Sequence, residues 1–434
     1  MRKVMMRKVL WGFLPLICVA MFCACGGNDD NGGDNGKTND NGTGIENNGG
    51  NGEATLSPDA EKSFLEETSR VFMSYFNANE FEDMSNAAKQ ISDLDDDDVN
   101  DWVDDIMEKT LTASGNSEYW PYNYEYYDAL IKASNVKGTY EASYTSGKWV
   151  RTKTTGDATI NYTDKNGAKW TLTVVPSDGI KGEVYGGKDR RYSGYKETRY
   201  DFTFEVPGKV TALLTRQGQT QVSAELIVNS LNIKDQGKNT WPTVMSSANG
   251  TFHATVLAYD INTSFNYAPN SGNSVSATVK KGNTTLVTVN AKGTNSINSS
   301  KNEFENGKNI TADIDVLGRV QLHATCSDAK TFSDASNRAD ENDDEEDVVK
   351  DCAKKMNSVF SAYITNNGGS KEQGTIKIST TSEKDYYTYY YLTPTINFSD
   401  GTYYDFDEYF SEKYFQKVID MYNQLIKDFE DLGD

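Results

Sequence analysis

The chain has 434 residues, 37% of them hydrophobic and 25% charged, with 64 acidic against 43 basic side chains and a formal net charge of -21. That length allows two or three domains and a sizeable core. The acidic balance repels nucleic acid and anionic headgroups, whose phosphates need clustered Lys and Arg, and two His leave little material for a His-based triad or a zinc cage.

Residues 1–24 read as a signal segment. A basic start is followed by the apolar run 9–22, which is too short for a permanent membrane helix. Residues 25–56 read as a tether, because Gly, Asn and Asp fill 22 of the 28 positions from 26 to 53 and such a stretch cannot offset its ordering entropy. Its mean reach is roughly 30 Å. Ala24 before Cys25, with Asp29 and Asp30 close behind, resembles the lipobox and acidic export signal of Bacteroidota surface lipoproteins. The resemblance covers only this beginning. It implies a lipid-modified Cys25 (a palmitate-type anchor), membrane contact through that lipid, and an outer-membrane address facing the cell surface.

Residues 57–133 read as an N-terminal helical segment. Ser57-Pro58-Asp59 is a helix start, and Phe64, Leu65, Val71, Phe72, Tyr75 and Phe76 form one apolar stripe after it. Two shorter helices are expected over 83–92 and 99–111. Between them, Asp93, Asp95, Asp97, Asp101 and Asp104 take positions 1, 3, 5, 9 and 12 of a calcium-loop spacing, although Asp98 stands where the sharp turn wants Gly. Ca²⁺ is the one cofactor this spacing offers, against a solvated acidic helix entry. Residues 119–127 are densely aromatic.

Residues 134–330 change to period two. Ala158, Ile160 and Tyr162, the turn Asn166-Gly167, and Trp170, Leu172 and Val174 spell a hairpin. Segments 210–222 and 275–286 repeat the plan. Ile314, Val316, Val320, Leu322, Ala324 and Cys326 share one parity, with Gly318 read as a bulge or bend. Partner positions are polar throughout, the pattern of an antiparallel sheet with one wet face, and His253 and His323 fall on that wet face.

Residues 331–434 return to helix. Seven acids crowd 340–347, and Val348, Val349, Cys352, Met356, Val359, Phe360 and Tyr363 continue at helical spacing. Strands follow at 374–381 and 386–397, with Pro394 marking an edge, and a last helix carries Phe415, Val418, Ile419, Tyr422, Leu425, Ile426 and Phe429. The expected fold is α+β: a wide antiparallel sheet, a meander of hairpins that is open or curved to a half-barrel, with the N- and C-terminal helices on one face.

Cys326 and Cys352 are either two buried thiols or a disulfide, which would stabilise by roughly 3.5 kcal/mol. The aromatic candidates for ligand contact are Tyr119, Trp120, Tyr122 and Tyr124, and Tyr387, Tyr389 and Tyr391, against a role in packing. The expected function is a lipid-anchored, non-catalytic protein that binds glycan or protein. The alternatives are a half-barrel carrier of an apolar ligand, similar to periplasmic lipoprotein carriers, and a glycoside hydrolase using a carboxylate pair.

Overall fold

The structure, a computed structural model, describes residues 56–92, 94, 111–113, 124–193, 196–233, 245–268, 272–298, 303–369, 371–384, 387–405 and 412–433. Among them, seventeen strands join in one sheet. The order begins β1 (Leu111–Ala113), β2 (Tyr124–Ile131), β3 (Lys137–Ser143), β4 (Val150–Thr163), β5 (Lys169–Ser193) and β6 (Lys196–Arg216). It continues through β7 (Gln219–Ile233), β8 (Met245–Val256), β9 (Tyr259–Tyr267), β10 (Asn273–Lys281), β11 (Thr284–Asn298), β12 (Glu303–Val316) and β13 (Val320–Asp328). After two helices come β14 (Phe360–Asn366), β15 (Gly374–Lys384), β16 (Thr388–Phe398) and β17 (Tyr403–Asp405).

From β4 to β17 each strand lies antiparallel beside the one before it, so the expected meander is present. The hairpin read from the sequence is present, with Tyr162 opposite Trp170 and Ala158 opposite Val174, and its loop takes in Lys165 as well as Asn166 and Gly167. Asp164 closes it: one carboxylate oxygen accepts from the Asn166 and Ala168 N–H groups and the other from Trp170 Nε1.

Two features correct the expectation of a purely antiparallel sheet. β4 folds back at Gly156, whose φ is 88°, and β3 lies between its two arms, antiparallel to the first and parallel to the second. β2 runs parallel to residues 197–204 of β6. β7 pairs with β6 only along 209–216, so backbone groups further back need another partner, and β2 supplies it. The helical reading of 57–133 is corrected accordingly at β1 and β2.

The first helix, α1 (Pro58–Met73), starts as expected, with Ser57 Oγ accepting from the Ala60 N–H at 3.3 Å. A 3₁₀ turn (Ala78–Phe81) leads into α2 (Glu82–Ser92). Between β13 and β14 stand α3 (Ala329–Asp340) and α4 (Glu346–Val359), and the chain ends in α5 (Glu412–Gly433). The helical reading through Tyr363 is corrected, because α4 stops at Val359. Phe360, Ala362 and Ile364 also satisfy period two, and pairing with β13 decides in favour of strand. Gly318 is likewise no bulge. With Leu317 it makes the tight turn of the β12–β13 hairpin, and opposing Val316 to Val320 leaves parity unchanged, which hides the turn in the sequence.

Every described helix covers the same face, called inner here. α1 sets Leu65 over Ala362, Ile364, Ile376, Ile396 and Phe398, beside Phe415 of α5. Phe72, Phe76 and Phe81 lie over Tyr259, Leu286, Val287 and Ile314, and α2 places Ala87 on Tyr140, Trp149, Tyr162 and Trp170. α3 and α4 bury Phe332, Val349, Cys352 and Met356 against Cys326, Phe360, Ile378 and Leu392. Lys281 fastens the far end of α1, its Nζ donating to Tyr75 O at 2.7 Å, Glu80 Oε1 at 2.6 Å and Tyr259 Oη at 3.2 Å.

Ile396 is fully buried beneath α1 and α5, whereas Tyr403 is exposed. Ile396→Ala is expected to cost about 2–5 kcal/mol in denaturant unfolding, and Tyr403→Ala no more than about 0.5 kcal/mol.

Candidate functional site

The outer face is the wet side of the sheet. Tyr389 and Tyr391 of β16 share it at 42% and 45% exposure, with Tyr387 exposed in the bend just before the strand, while Tyr390 turns inward onto the α3–α4 cluster. Alternate residues of an extended chain stand about 7 Å apart, so Tyr389 and Tyr391 stand side by side along β16. Glu383 lies opposite Tyr389 and Thr381 opposite Tyr391 on β15, which puts hydrogen-bonding groups beside the rings. The free edge of β16 meets the α3–α4 turn, where the Tyr390 N–H donates to Asp343 O at 2.6 Å. That contact brings the acid run 340–347 to the aromatic strand, so two separate peculiarities of the sequence converge. The sequence shows each of them, and only the register shows their meeting.

The other candidates divide. Cys25, Tyr119, Trp120 and Tyr122 lie outside the described residues, as do Asp93, Asp95, Asp97, Asp101 and Asp104 of the calcium-loop spacing; Tyr124 opens β2, with its side chain also outside them. Cys326 and Cys352 belong to one apolar cluster as free thiols, and burial pushes both above the usual thiol range.

Both histidines sit on the outer face, as their parity predicts, and each has a carboxylate partner that the sequence did not reveal. His253 Nε2 is 2.8 Å from Asp260 Oδ2. His323 Nδ1 is 2.6 Å from Asp313 Oδ1, and its Nε2 is 3.2 Å from Thr365 Oγ1. Carboxylate, imidazole and hydroxyl thus stand in the order of a hydrolase triad. Thr365, however, is only 2% exposed, and its hydroxyl donates to Gln321 Oε1 at 3.3 Å. A hydroxyl so pinned and shielded has no path to a substrate carbonyl. Gln321 in turn accepts from the Gly368 N–H and donates to Asp315, which takes the Gly318 N–H, so the network braces two turns.

Comparison with known proteins adds no assignment. No family model, curated protein or solved structure matches the chain.

On the inner face, among the described residues, the helices cover one end of the central strands and do not reach the other. Tyr259 is buried beneath Phe76 and Phe81. Phe265 is six residues along the same strand, about 20 Å away, with Val275 and Gly250 opposite it. A Cβ on Gly250 would stand 2.3 Å from Ile227 O and 2.9 Å from the Phe265 ring, so both the neighbouring backbone and that ring require glycine there. Phe252 and Val275 on this floor are exposed.

A separate centre lies in the first turn of α1. Glu61 is 1% exposed, Asn366 Nδ2 of β14 donates to its Oε2, and burial pushes its carboxyl up to about 7 against the lowering effect of that bond. The nearby cations are engaged: Lys62 Nζ donates to Tyr404 Oη at 2.9 Å and lies over the Phe398 and Tyr404 rings, and Arg319 covers the Phe64 ring at 4.9 Å.

The thiol arrangement predicts a labelling pattern. At pH 8 the native protein should alkylate at Cys326 and Cys352 far more slowly than the denatured protein, where peptide mapping should find both modified. A disulfide would leave both unmodified in either state.

Proposed function

We propose that the protein is a non-catalytic binding protein, lipid-anchored at Cys25 in the bacterial outer membrane and facing the cell surface, whose outer-face tyrosines engage a glycan or protein ligand. The observation that carries the binding role is the pair Tyr389 and Tyr391, exposed on the face the core does not use, with Tyr387 exposed just before them. Stacked rings offer apolar area at low entropy cost and keep their hydroxyls wet, and Glu383 and Thr381 beside them offer hydrogen bonds. The tether would hold this face clear of the bilayer.

A second reading rests on the inner floor. Phe252 and Val275 are apolar and exposed on the face that elsewhere forms the core, which suits an apolar ligand lying along β8–β10. Lipid co-purifying with the protein and identified by mass spectrometry would favour it.

The two readings part under mutation. Tyr389→Ala with Tyr391→Ala should weaken a ligand found by glycan array or pull-down at least tenfold, at about 1 kcal/mol or more per ring, with circular dichroism unchanged. Arrays and pull-downs that stay empty with the wild-type protein would remove the leading reading.

A further inference from the structure

The contact between Glu61 and Asn366 is incomplete as a carboxylate–amide pair. Asn366 Nδ2 donates to Glu61 Oε2, yet Glu61 Oε1 and Asn366 Oδ1, both shut off from water, have no hydrogen-bond partner. Both orphans are acceptors, and buried acceptors are rarely left unpaired. One proton on Oε1 answers both at once, because the acid O–H can donate to Asn366 Oδ1 and close a ring of two reciprocal hydrogen bonds.

We propose that Glu61 is a proton-binding site, and that its neutral carboxyl, paired doubly with Asn366, latches the first turn of α1 to β14 and lets go when the proton leaves. The residue stands where the helix enters the fold, between the Ser57 cap and Leu65, which covers Ile364, Ile376 and Ile396. Its neighbours here are the Leu56 N–H bonded to Gln373 Oε1 at 3.0 Å and Lys62 held over Tyr404. Opening this turn therefore bares the apolar face of β14–β16.

The charged and titratable groups around this turn are Asp59 and Lys62 on α1, Arg319 in the β12–β13 turn, and Asp400 and Tyr404 at the β16–β17 end, and α5 meets it through the apolar Phe415 and Val418. Both histidines stand on the opposite face of the sheet. The latched carboxyl is raised from 4.5 to about 7 by burial, so the latch keeps its proton across a window where an opened turn loses it. The latch is at full strength below about 4.5 and weakens as pH rises through 7. A window of that width corresponds to a rise of up to roughly 300-fold in the opening equilibrium.

Hydrogen exchange of the full chain at pH 5.5, 6.5 and 8, corrected for intrinsic rates, tests this. Protection of α1 should fall by one to two orders of magnitude with rising pH, while that of α4 stays constant. In Glu61→Gln the amide N–H replaces the acid O–H, so α1 should stay protected at every pH. Equal pH profiles for the two proteins, or wild-type protection that does not change, would overturn the latch. Should the variant not fold, the carboxyl carbon resonances of the wild-type protein decide: one Glu titrating near 7 supports the latch, and all titrating near 4.5 refute it.

Discussion

One apolar sheet face must be kept from water, and everything else follows from how the chain does it. Period-two strands of Val, Ile, Leu and aromatic residues give a face far wider than any single helix, and an isolated face of that size would aggregate. The protein covers it with its own helices: α1, the 3₁₀ turn and α2 cross it from β16 to β3, α5 packs beside α1, and α3 and α4 cover Cys326, Phe360, Ile378 and Leu392. Because the cover comes from elements remote in sequence, its joints are specific polar contacts, Lys281 at one end of α1 and Glu61 at the other.

The outer face is free of that duty, and the polar residues collect there. Lys209 pairs with Glu225 at 2.5 Å, and the Asp313, His323, Thr365 and Gln321 network ties turns together. The long β16 has little partner on its free side, since β17 pairs with only Thr395, Ile396 and Asn397. Edges of this kind invite strand addition, and here Pro394 offers no N–H while the Tyr390 N–H is taken by Asp343.

The hairpins were legible because alternation and Asn-Gly or Gly-Asn turns are local signals. Tyr162 opposite Trp170 and the pairing of Val279 with Val287 follow from them. The two parallel pairings were not legible, since they depend on backbone groups of β6 left without β7 and on the fold-back at Gly156. The end of α4 was ambiguous for a physical reason: Cys352, Met356, Val359, Phe360 and Tyr363 suit a helix, while Phe360, Ala362 and Ile364 suit a strand. Of the aromatic site, parity placed Tyr387, Tyr389 and Tyr391 on one face, but nothing local told that this face lies opposite the helices. The Asp partners of the two histidines come from neighbouring strands, and Asn366 lies 305 positions from Glu61, beyond any pattern visible along the chain.

The joints of α1 reach very far along the chain: Leu56 bonds Gln373, and Lys62 bonds Tyr404, 317 and 342 residues away. Of the described elements α1 is made first, and although Phe72 at its far end can settle on β9–β12, the seat of its first turn does not exist until β14–β17 have followed it. The meander can grow hairpin by hairpin with α2 seated on β3–β5 from early on, while the joint at the first turn of α1 waits for the last strands. Completion is thus one late closure over a very long loop, a slow step by contact order and a period of exposure to aggregation. A ribosome-bound chain lacking β14–β17 would carry Glu61 and Lys62 without the Asn366 and Tyr404 that hold them.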